Sequence, residues 1–430
     1  MLTSIFMSRK EIPENTIVDV ANAINSKVNK RSNLSSPLSV ADNLQTPQYF
    51  EIIPFDEIDG SDRTFYSIDG STNQQEFYNG LCLGLYTAGY IGYNSGKQIR
   101  LNDLDDPVIL GKSYFPTRLM ITSDLDKGEI FDELIALEPV TAMLEFFGNP
   151  TDWSGWGIDL NAVKETVCKN TSTLFSFCQN VLEWALVLEI ADLPIAKSGD
   201  FILRDGNLRP LDIKQKYIQR LGKYLHEKGI VLLAITKNSP IKMQLSSTFR
   251  KIDTYLQTDL KHKFAFAETE ERKRKICCWM EVDDFDLNEA YNDGNLIIRK
   301  GVYGGRGFGL YFVARLDYVE KLQNYDWVVI DLNIYDAIPT VTEAMRGNEV
   351  DREPRDTEKL ATIFRELTRL TQEHYLLGYP YPLAEVHNFV TLKSDFKLEI
   401  INRVKMALYE SAHMEHVDIE NLFLDLHQRF

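Results

Sequence analysis

Three stretches in the first third of the chain combine β-favouring side chains with turn residues at their ends. Arg63 to Ile68 is a β-favouring run that leads into Asp69-Gly70-Ser71. A run rich in Gly and Tyr follows from Gly80 to Tyr93, and a third extends from Val108 to Thr122. Consecutive runs of this kind, separated by turn signals, predict an antiparallel meander.

Helical and strand patterns alternate in the rest of the chain, and this order predicts an α/β fold. A meander followed by β-α-β units indicates an RNase H-like mixed sheet with flanking helices and a helical C-terminal region. The predicted helices are Asn161 to Ile190, the basic amphipathic Leu211 to Lys228, Ile241 to Leu256, and those of the last part of the chain from Thr357 onward. The predicted strands are Asp200 to Arg204, Ile230 to Ile235, Ile276 to Val282, Leu296 to Arg299, Phe308 to Leu316 and Trp327 to Asp331.

The first part of the chain has a different character. From Asn15 to Arg31, apolar residues recur at the spacing of one helical face, and Ser32 to Gln48 is dominated by Ser, Asn, Pro and Asp. A polar stretch of this composition predicts a linker. We therefore expect residues 1–56 to form an amphipathic segment with its linker, and residues 57–430 to form the main domain.

Composition and charge narrow the possible classes of protein. The 430 residues are 44% hydrophobic and 26% charged, as in an ordinary globular chain. The net charge of -16 argues against non-specific attraction of the whole protein to nucleic acid or to an anionic membrane. Local basic patches are compatible with that charge, and each is either part of a DNA path or a solvated face. They are Lys214, Lys216, Arg220 and Lys223 on one predicted helix, and Arg272, Lys273, Arg274 and Lys275 before a strand.

Cysteine usage and hydropathy indicate the compartment. The five cysteines include no CxxC motif, so we expect a reducing cytosol and no structural zinc site. The N-terminal residues lack the features of a signal peptide. Phe77 to Gly96 is uncharged, but its Gly, Tyr and Asn content predicts strands rather than a bilayer helix. The expected protein is cytoplasmic and has no membrane partner.

Carboxylates provide the first candidate chemistry. Asp69 and Asp205 each stand at the predicted end of an apolar strand and are followed by Gly. Taken singly, Asp-Gly is more often a plain turn. Glu183 and Glu189 lie on an apolar helix, where a charge needs a partner, a metal ion or a solvated stripe. Carboxylate oxygens suit Mg²⁺ or Mn²⁺, and two such ions promote phosphodiester hydrolysis, so the set points to phosphoryl transfer.

The segment GYPYPLAEVH, from Gly378 to His387, is the densest motif of the chain. Pro382 suits a first helical turn, and the helical period places His387 on the same face as the apolar Leu383 and Val386. We therefore expect His387 to point inward, most simply as a core histidine. Tyr379 is either a packing ring or part of a site.

These motifs together resemble the NurA family of nucleases, from about Phe65 to about Leu392. They occur in the family's order: IDGS at Asp69, an EW-containing helix at Glu183, RDGNL at Asp205, AITKNS at Lys237, a strand ending in Arg315, and GYPYPLAEVH. The resemblance implies an RNase H-like, usually dimeric nuclease that degrades DNA with Mn²⁺ or Mg²⁺. It also implies a partner, the hexameric HerA translocase, in the processing of DNA ends. The segment around residues 97–159 lies outside the match and is expected to be an insertion.

The resemblance also implies roles for individual residues. Asp69, Glu183 and Asp205 match the metal-binding carboxylates, with Glu189 as a rival to Glu183 because the spacing to Asp205 is long. Tyr379 and His387 match the tyrosine and histidine of the active site. Beside these, Arg204, Arg209 and Lys237 are candidate contacts to the DNA backbone, or else ordinary solvated cations.

Two alternatives to a DNA nuclease remain open at this stage. One is a non-catalytic subunit that keeps the fold and docks on the motor. The other is a related enzyme that acts on RNA or nicks DNA. The Gly-rich segment from Gly304 to Gly309 lacks the GK[ST] ending of a P-loop, so ATP hydrolysis is expected to belong to a partner. A role in DNA repair and a role in defence against phage are equally compatible with the sequence.

Overall fold

The fold is built on one large mixed sheet with helices on both faces. The computed structural model describes residues 22, 49–54, 63–77, 82–94, 111–114, 120–121, 124–148, 160–208, 213, 215–236, 274–281, 309–318, 327–342, 353–371, 378–391, 394–411 and 419–421. The strands are β1 Tyr49–Pro54, β2 Thr64–Glu76, β3 Cys82–Asn94, β4 Gly111–Tyr114, β5 Met120–Ile121, β6 Phe201–Asp205, β7 Val231–Thr236, β8 Arg274–Glu281, β9 Gly309–Tyr318 and β10 Val328–Asn333. The helices, numbered among the described residues, are α1 Asp124–Ala136, α2 Glu138–Phe147, α3 Leu160–Val167, α4 Thr171–Ala191, α5 Gln215–Glu227, α6 Ile334–Ala337, α7 Thr357–Arg369, α8 Tyr381–Val390 and α9 Ser394–Ser411.

The strand order confirms the predicted fold class. It runs β1-β8-β9-β10-β7-β6-β2-β3-β4, and β5 also pairs with β3. Strands β2, β3 and β4 form an antiparallel meander, and β6 and β7 extend it with parallel pairing on the other side of β2. Three meander strands followed by two parallel strands are the core of an RNase H-like sheet. Four antiparallel strands, β10, β9, β8 and β1, then widen it.

The two faces of the sheet carry different helices. The parallel neighbours β2, β6 and β7 need crossover connections, and the chain supplies α4 before β6 and α5 before β7. Helices α4 and α8 both pack against β2 and β3. Successive strand residues point to opposite faces. A Cβ at Gly70 would meet α4, whereas the neighbouring Asp69 bonds to α8, so these helices lie on opposite faces.

Strand β2 differs from its prediction at one informative point. The sequence predicts that the strand ends at Asp69, but β2 continues to Glu76, and Gly70 pairs with Ala88 inside the sheet. This Asp-Gly pair is therefore not a turn. A Cβ at residue 70 would lie 2.5 Å from Glu183 Oε1, so glycine leaves the space that this side chain occupies. The second Asp-Gly pair behaves as predicted, because Asp205 ends β6 and Gly206 has a φ of 105°.

The predicted helix from Asn161 to Ile190 is two helices, α3 and α4. Asn170 begins the second one, and its side chain accepts a hydrogen bond from the backbone N–H of Thr173. By length and composition α4 could cross a membrane, with a mean hydropathy of 1.3 over an 18-residue window. In the fold, 78% of that window is buried. The hydrophobicity of α4 is thus used in the core between the sheet, α1, α2 and α3.

Several predicted boundaries fall differently in the structure. Strand β1 lies within residues 1–56, and it pairs with β8 at the edge of the sheet. The segment 97–159 contains β4, which is the third strand of the meander, together with α1 and α2. The predicted linker at 32–48, the predicted helix from Ile241 to Leu256 and the predicted strand from Leu296 to Arg299 lie outside the described residues.

Candidate metal centre

The centre of the site is a contact between β2 and α8. His387 Nδ1 lies 2.8 Å from Asp69 Oδ2. The Asp69 side chain is 10% exposed, whereas that of His387 is 60% exposed. The sequence prediction that His387 points into the core is therefore wrong. The helical period placed its Cβ near the apolar face, but the ring lies at the rim of that face, where it reaches the strand carboxylate and solvent.

Asp205 completes this cluster from the neighbouring strand. Asp69 and Asp205 follow Ile68 and Arg204, which are paired residues of the parallel strands β2 and β6. Both carboxylates consequently reach the same part of the sheet. The potential ligand atoms of Asp69, Asp205 and His387 all lie within 4.8 Å of one another.

Tyr379 supports Asp205 from the segment before α8. Its side chain is 3% exposed, and its phenol is hydrogen-bonded to Asp205. Burial raises the pKa of Tyr379 well above its ordinary value, and the negative charges of Asp205 and Asp69 raise it further. The phenol therefore keeps its proton and donates a hydrogen bond to the Asp205 carboxylate. This tyrosine packs as a ring and also orients a site residue.

The electrostatic environment of Asp69 is unfavourable for its charge. The pKa of this carboxyl is raised from 3.8 to about 6, chiefly by burial and further by the nearby carboxylates of Glu183 and Asp205. Hydrogen bonds from His387 and from the Gly70 N–H, the latter 2.8 Å long, act in the opposite direction. A cation bound beside Asp69 would offset both the burial and the repulsion between carboxylates.

Glu183 approaches the cluster from the opposite face of the sheet. Its Oε2 lies 2.5 Å from Arg204 Nη2, and its Oε1 accepts a hydrogen bond of 2.8 Å from Gln179 Nε2. Both oxygens are therefore engaged within the protein, and Glu183 is not among the three residues whose ligand atoms converge. It acts on Asp69 through its charge.

Glu189, the rival to Glu183, lies elsewhere. Its carboxylate contacts Lys112 Nζ at 2.6 Å and the Tyr114 hydroxyl at 2.8 Å, both on β4. Six residues along a helix correspond to a rotation of about 240° from Glu183, which explains the different surroundings. The structure thus places Glu183, and not Glu189, beside Asp69.

Arg204 does not have the position expected of a DNA contact. The side chain is 9% exposed, and besides Glu183 it bonds to Asn180 Oδ1 at 3.1 Å and to the Asn207 carbonyl at 2.5 Å. Its guanidinium also lies 5.0 Å from the centre of the Trp184 ring. Arg204 is thus a structural partner of Glu183 rather than a surface cation. The other two predicted DNA contacts, Arg209 and Lys237, lie outside the described residues.

The loop after Asp205 is held by residues that the sequence did not single out. The Leu208 N–H donates to Asp331 Oδ2 at 2.9 Å, and the Gly206 N–H donates to the Ile235 carbonyl at 3.1 Å. Asp331 is 1% exposed and belongs to β10. As the predicted last residue of a strand it carried no signal of this role, because its partner is 123 positions away. Gln179 was also missed, although its partner Glu183 is only four residues away on the same helix.

The donor set fits a divalent cation. Two carboxylates and one imidazole converge at the sheet, one of the carboxylates is buried, and each carboxylate is oriented by a hydrogen bond from a neighbouring side chain. Carboxylates suit Mn²⁺ and Mg²⁺, and imidazole is a ligand for transition metals, so the mixed set favours Mn²⁺ over Mg²⁺.

Comparisons with known proteins give structural similarity without sequence similarity. No protein-family model matches the chain, and no curated protein matches it in sequence. The NurA nuclease from Sulfolobus solfataricus aligns over 94% of this chain and 100% of its own, with 14% identity and a TM-score of 0.45. NurA bound to dAMP and manganese aligns over 95% and 99%, with 13% identity and a TM-score of 0.37. NurA with manganese aligns over 93% and 98%, with 11% identity and a TM-score of 0.34.

Proposed function

We propose that this chain is a NurA-type nuclease that hydrolyses phosphodiester bonds of DNA with Mn²⁺ or Mg²⁺. The observation that carries the proposal is the convergence of Asp69, Asp205 and His387 within 4.8 Å on an RNase H-like sheet. Sequence motifs in the order of the NurA family support it independently. In this proposal Asp69, Asp205 and His387 hold the cation, and Glu183 contributes negative charge from behind β2.

A bound divalent cation activates water at neutral pH and stabilises the negative charge that develops on a phosphate. The protein's own part begins with the pair of Asp69 and His387. A neutral His387 that donates its Nδ1–H to Asp69 carries the lone pair on Nε2, which is the arrangement of a metal-binding histidine oriented by a carboxylate. The His387 side chain is 60% exposed, so the ring is accessible from solvent, the side from which DNA would arrive.

Tyr379 and Arg204 hold the carboxylates in place. The phenol of Tyr379 donates to Asp205 and fixes its orientation. Arg204 balances the charge of Glu183, so this acidic side chain stays buried next to Gly70 without a metal ion of its own. Side chains fixed in this way keep the donor atoms close to a productive geometry.

The proposal also includes the partners that the family resemblance implies. We propose a homodimer that works with a HerA-type hexameric ATPase in the cytoplasm, in DNA end processing or in phage defence. The absence of a P-loop ending in the sequence Gly304 to Gly309 supports a separate ATPase. Residues 304–308 lie outside the described residues, and Gly309 begins β9.

The test is degradation of end-labelled single-stranded and duplex DNA in Mn²⁺, Mg²⁺ or EDTA, with and without a HerA-type motor. Asp69→Asn and Asp205→Asn should abolish metal-dependent loss of DNA. Asp132→Asn on α1 is a matched control, because its carboxylate is 64% exposed and pairs with Lys164 away from the site. If the folded wild-type protein leaves DNA intact in every condition while it binds the motor, the proposal is wrong and a docking subunit is the better description. Degradation of RNA in place of DNA would refute the proposed substrate.

A further inference from the structure

Helix α5 carries a row of cations on its exposed side. Lys216, Arg220 and Lys223 are exposed and follow the i, i+4, i+7 spacing of one helical face; we call these three residues the basic stripe. The opposite side of the helix is buried through apolar residues that include Ile218 and Leu221. On a chain with a net charge of -16, such a stripe is a local exception to the overall sign.

Aromatic rings line the base of the stripe. The Arg220 guanidinium lies 5.0 Å from the centre of the Phe146 ring at the end of α2. Lys216 Nζ lies 4.7 Å from the centre of the Tyr217 ring. The Phe146 ring in turn packs against Tyr224 with 5.1 Å between centroids. These residues, with Lys223 and Glu227, line a groove of about 560 Å³ between α2 and α5.

The connectivity places one end of the stripe at the edge of the sheet that carries Asp205. Asp205 is the last residue of β6, and α5 connects β6 to the parallel strand β7. The helix therefore begins near the carboxyl ends of these strands and runs back along the sheet. Lys216 lies in the first turn, and Lys223 lies about 10 Å further along the axis at 1.5 Å per residue.

We propose that the basic stripe binds the phosphates of the DNA strand whose cleavage is proposed above. Helix α5 lies on the α4 face of the sheet, where Tyr224 bonds to Asp192 at the end of α4, and the strand crosses the carboxyl edge of β6 to reach Asp205 on the α8 face. The inference rests on the proposed function for the identity of its ligand. Exposed cations interleaved with aromatic rings are the usual means of holding a nucleic-acid backbone without sequence preference. Most of the protein's surface charge would repel DNA, so a local row of cations that leads to the site gives the strand a favourable approach.

Binding without hydrolysis tests this inference separately from the proposed function. A fluorescein-labelled single-stranded oligonucleotide is titrated in EDTA, with fluorescence anisotropy recorded at several salt concentrations. The test variant carries Lys216→Gln, Arg220→Gln and Lys223→Gln, since glutamine keeps part of each aliphatic stem. The control carries Lys169→Gln, Lys197→Gln and Arg403→Gln, which remove the same charge from exposed positions elsewhere.

The slope of log K against log salt is negative, and each contact to a single strand contributes about 0.7 to its magnitude. Three lost phosphate contacts should therefore make the slope about 2 less steep. Lys223→Gln alone leaves the ring contacts of Arg220 in place and should make the slope about 0.7 less steep. Thermal melting confirms that each variant is folded. If the stripe variants bind with the same affinity and slope as the control, the inference is wrong even if the enzyme cleaves DNA. A wild-type chain that binds DNA through the stripe but never cleaves it would instead refute the proposed function.

Discussion

Gly70 gives the sharpest test of how the sheet accommodates the acidic cluster. An added Cβ would lie 2.5 Å from Glu183 Oε1, 2.6 Å from Gln179 Cγ and 2.9 Å from Gln179 Nε2. Ordinary contacts of a Cβ begin at about 3.4 Å, so the two α4 side chains would have to retreat by 0.5 to 0.9 Å. Glu183 is buried, and both of its oxygens are hydrogen-bonded, so its retreat would disturb the contacts with Arg204 and Gln179.

The Gly70→Ala variant should therefore lose stability and activity together. Overpacking of a filled interior costs about 1–3 kcal/mol in free energy of unfolding. A displacement approaching 1 Å beside a catalytic cluster reduces activity by as much as about 100-fold. Gly92→Ala in β3 is the matched control, because its Cβ would meet nothing closer than Tyr66 Cε1 at 3.5 Å. Urea denaturation gives the stability of both variants, and Mn²⁺-supported cleavage of end-labelled DNA gives their activity.

Two outcomes would refute the reasoning about Gly70. In the first, Gly70→Ala is as stable and as active as Gly92→Ala, which would mean that the cluster does not need the space above Gly70. In the second, the cost is not reduced at all in a Gln179→Ala background, where two of the three close contacts are gone. A double-mutant cycle measures this coupling directly.

Three further changes have defined outcomes. Replacing Arg204 by Met leaves the Glu183 carboxylate buried without its cation and should cost about 3–5 kcal/mol in urea denaturation; unchanged stability would contradict the pairing. Tyr379→Phe removes the hydrogen bond to Asp205 while keeping the ring, so cleavage should slow about tenfold with a similar melting temperature, and an unaltered rate would argue against the orienting role. In the metal-free protein, the Asp69 pKa of about 6 lies above the unfolded value near 4, so the folded state binds more protons between these pH values. The free energy of unfolding from this group then falls as pH rises through that window, and denaturation of wild type and Asp69→Asn across it should show the difference.

The architecture was largely predictable because it is encoded locally. Each of three features is predicted by side-chain patterns that span only neighbouring residues. They are the meander of β2, β3 and β4, the helix between β6 and β7, and the short strand that ends at Asp205. What the patterns could not give is register. Gly70 looked like a turn residue because an Asp-Gly pair usually is one, whereas it pairs with Ala88 inside the sheet, and the space above it is taken by Glu183, 113 residues later.

The arrangement of the site depended on contacts of the same long range. The ordered motifs pointed to Asp69, Asp205, Tyr379 and His387, and the structure brings their side chains together. The orientation of His387 could not be read from helical periodicity, because the contact with Asp69 joins positions 318 apart. Arg204 looked like a surface cation for the same reason, since its burial is set by helix α4 packing on the sheet.

The most direct test of the central claim is calorimetric titration of Mn²⁺ into the folded protein at neutral pH. The account predicts that wild type binds Mn²⁺ and that Asp69→Asn, Asp205→Asn and His387→Gln each weaken binding severely. It predicts that the matched control Asp132→Asn binds like wild type. Wild-type affinity in the three site variants, or no binding by a folded wild-type chain, would contradict the claim that these residues form a cation site.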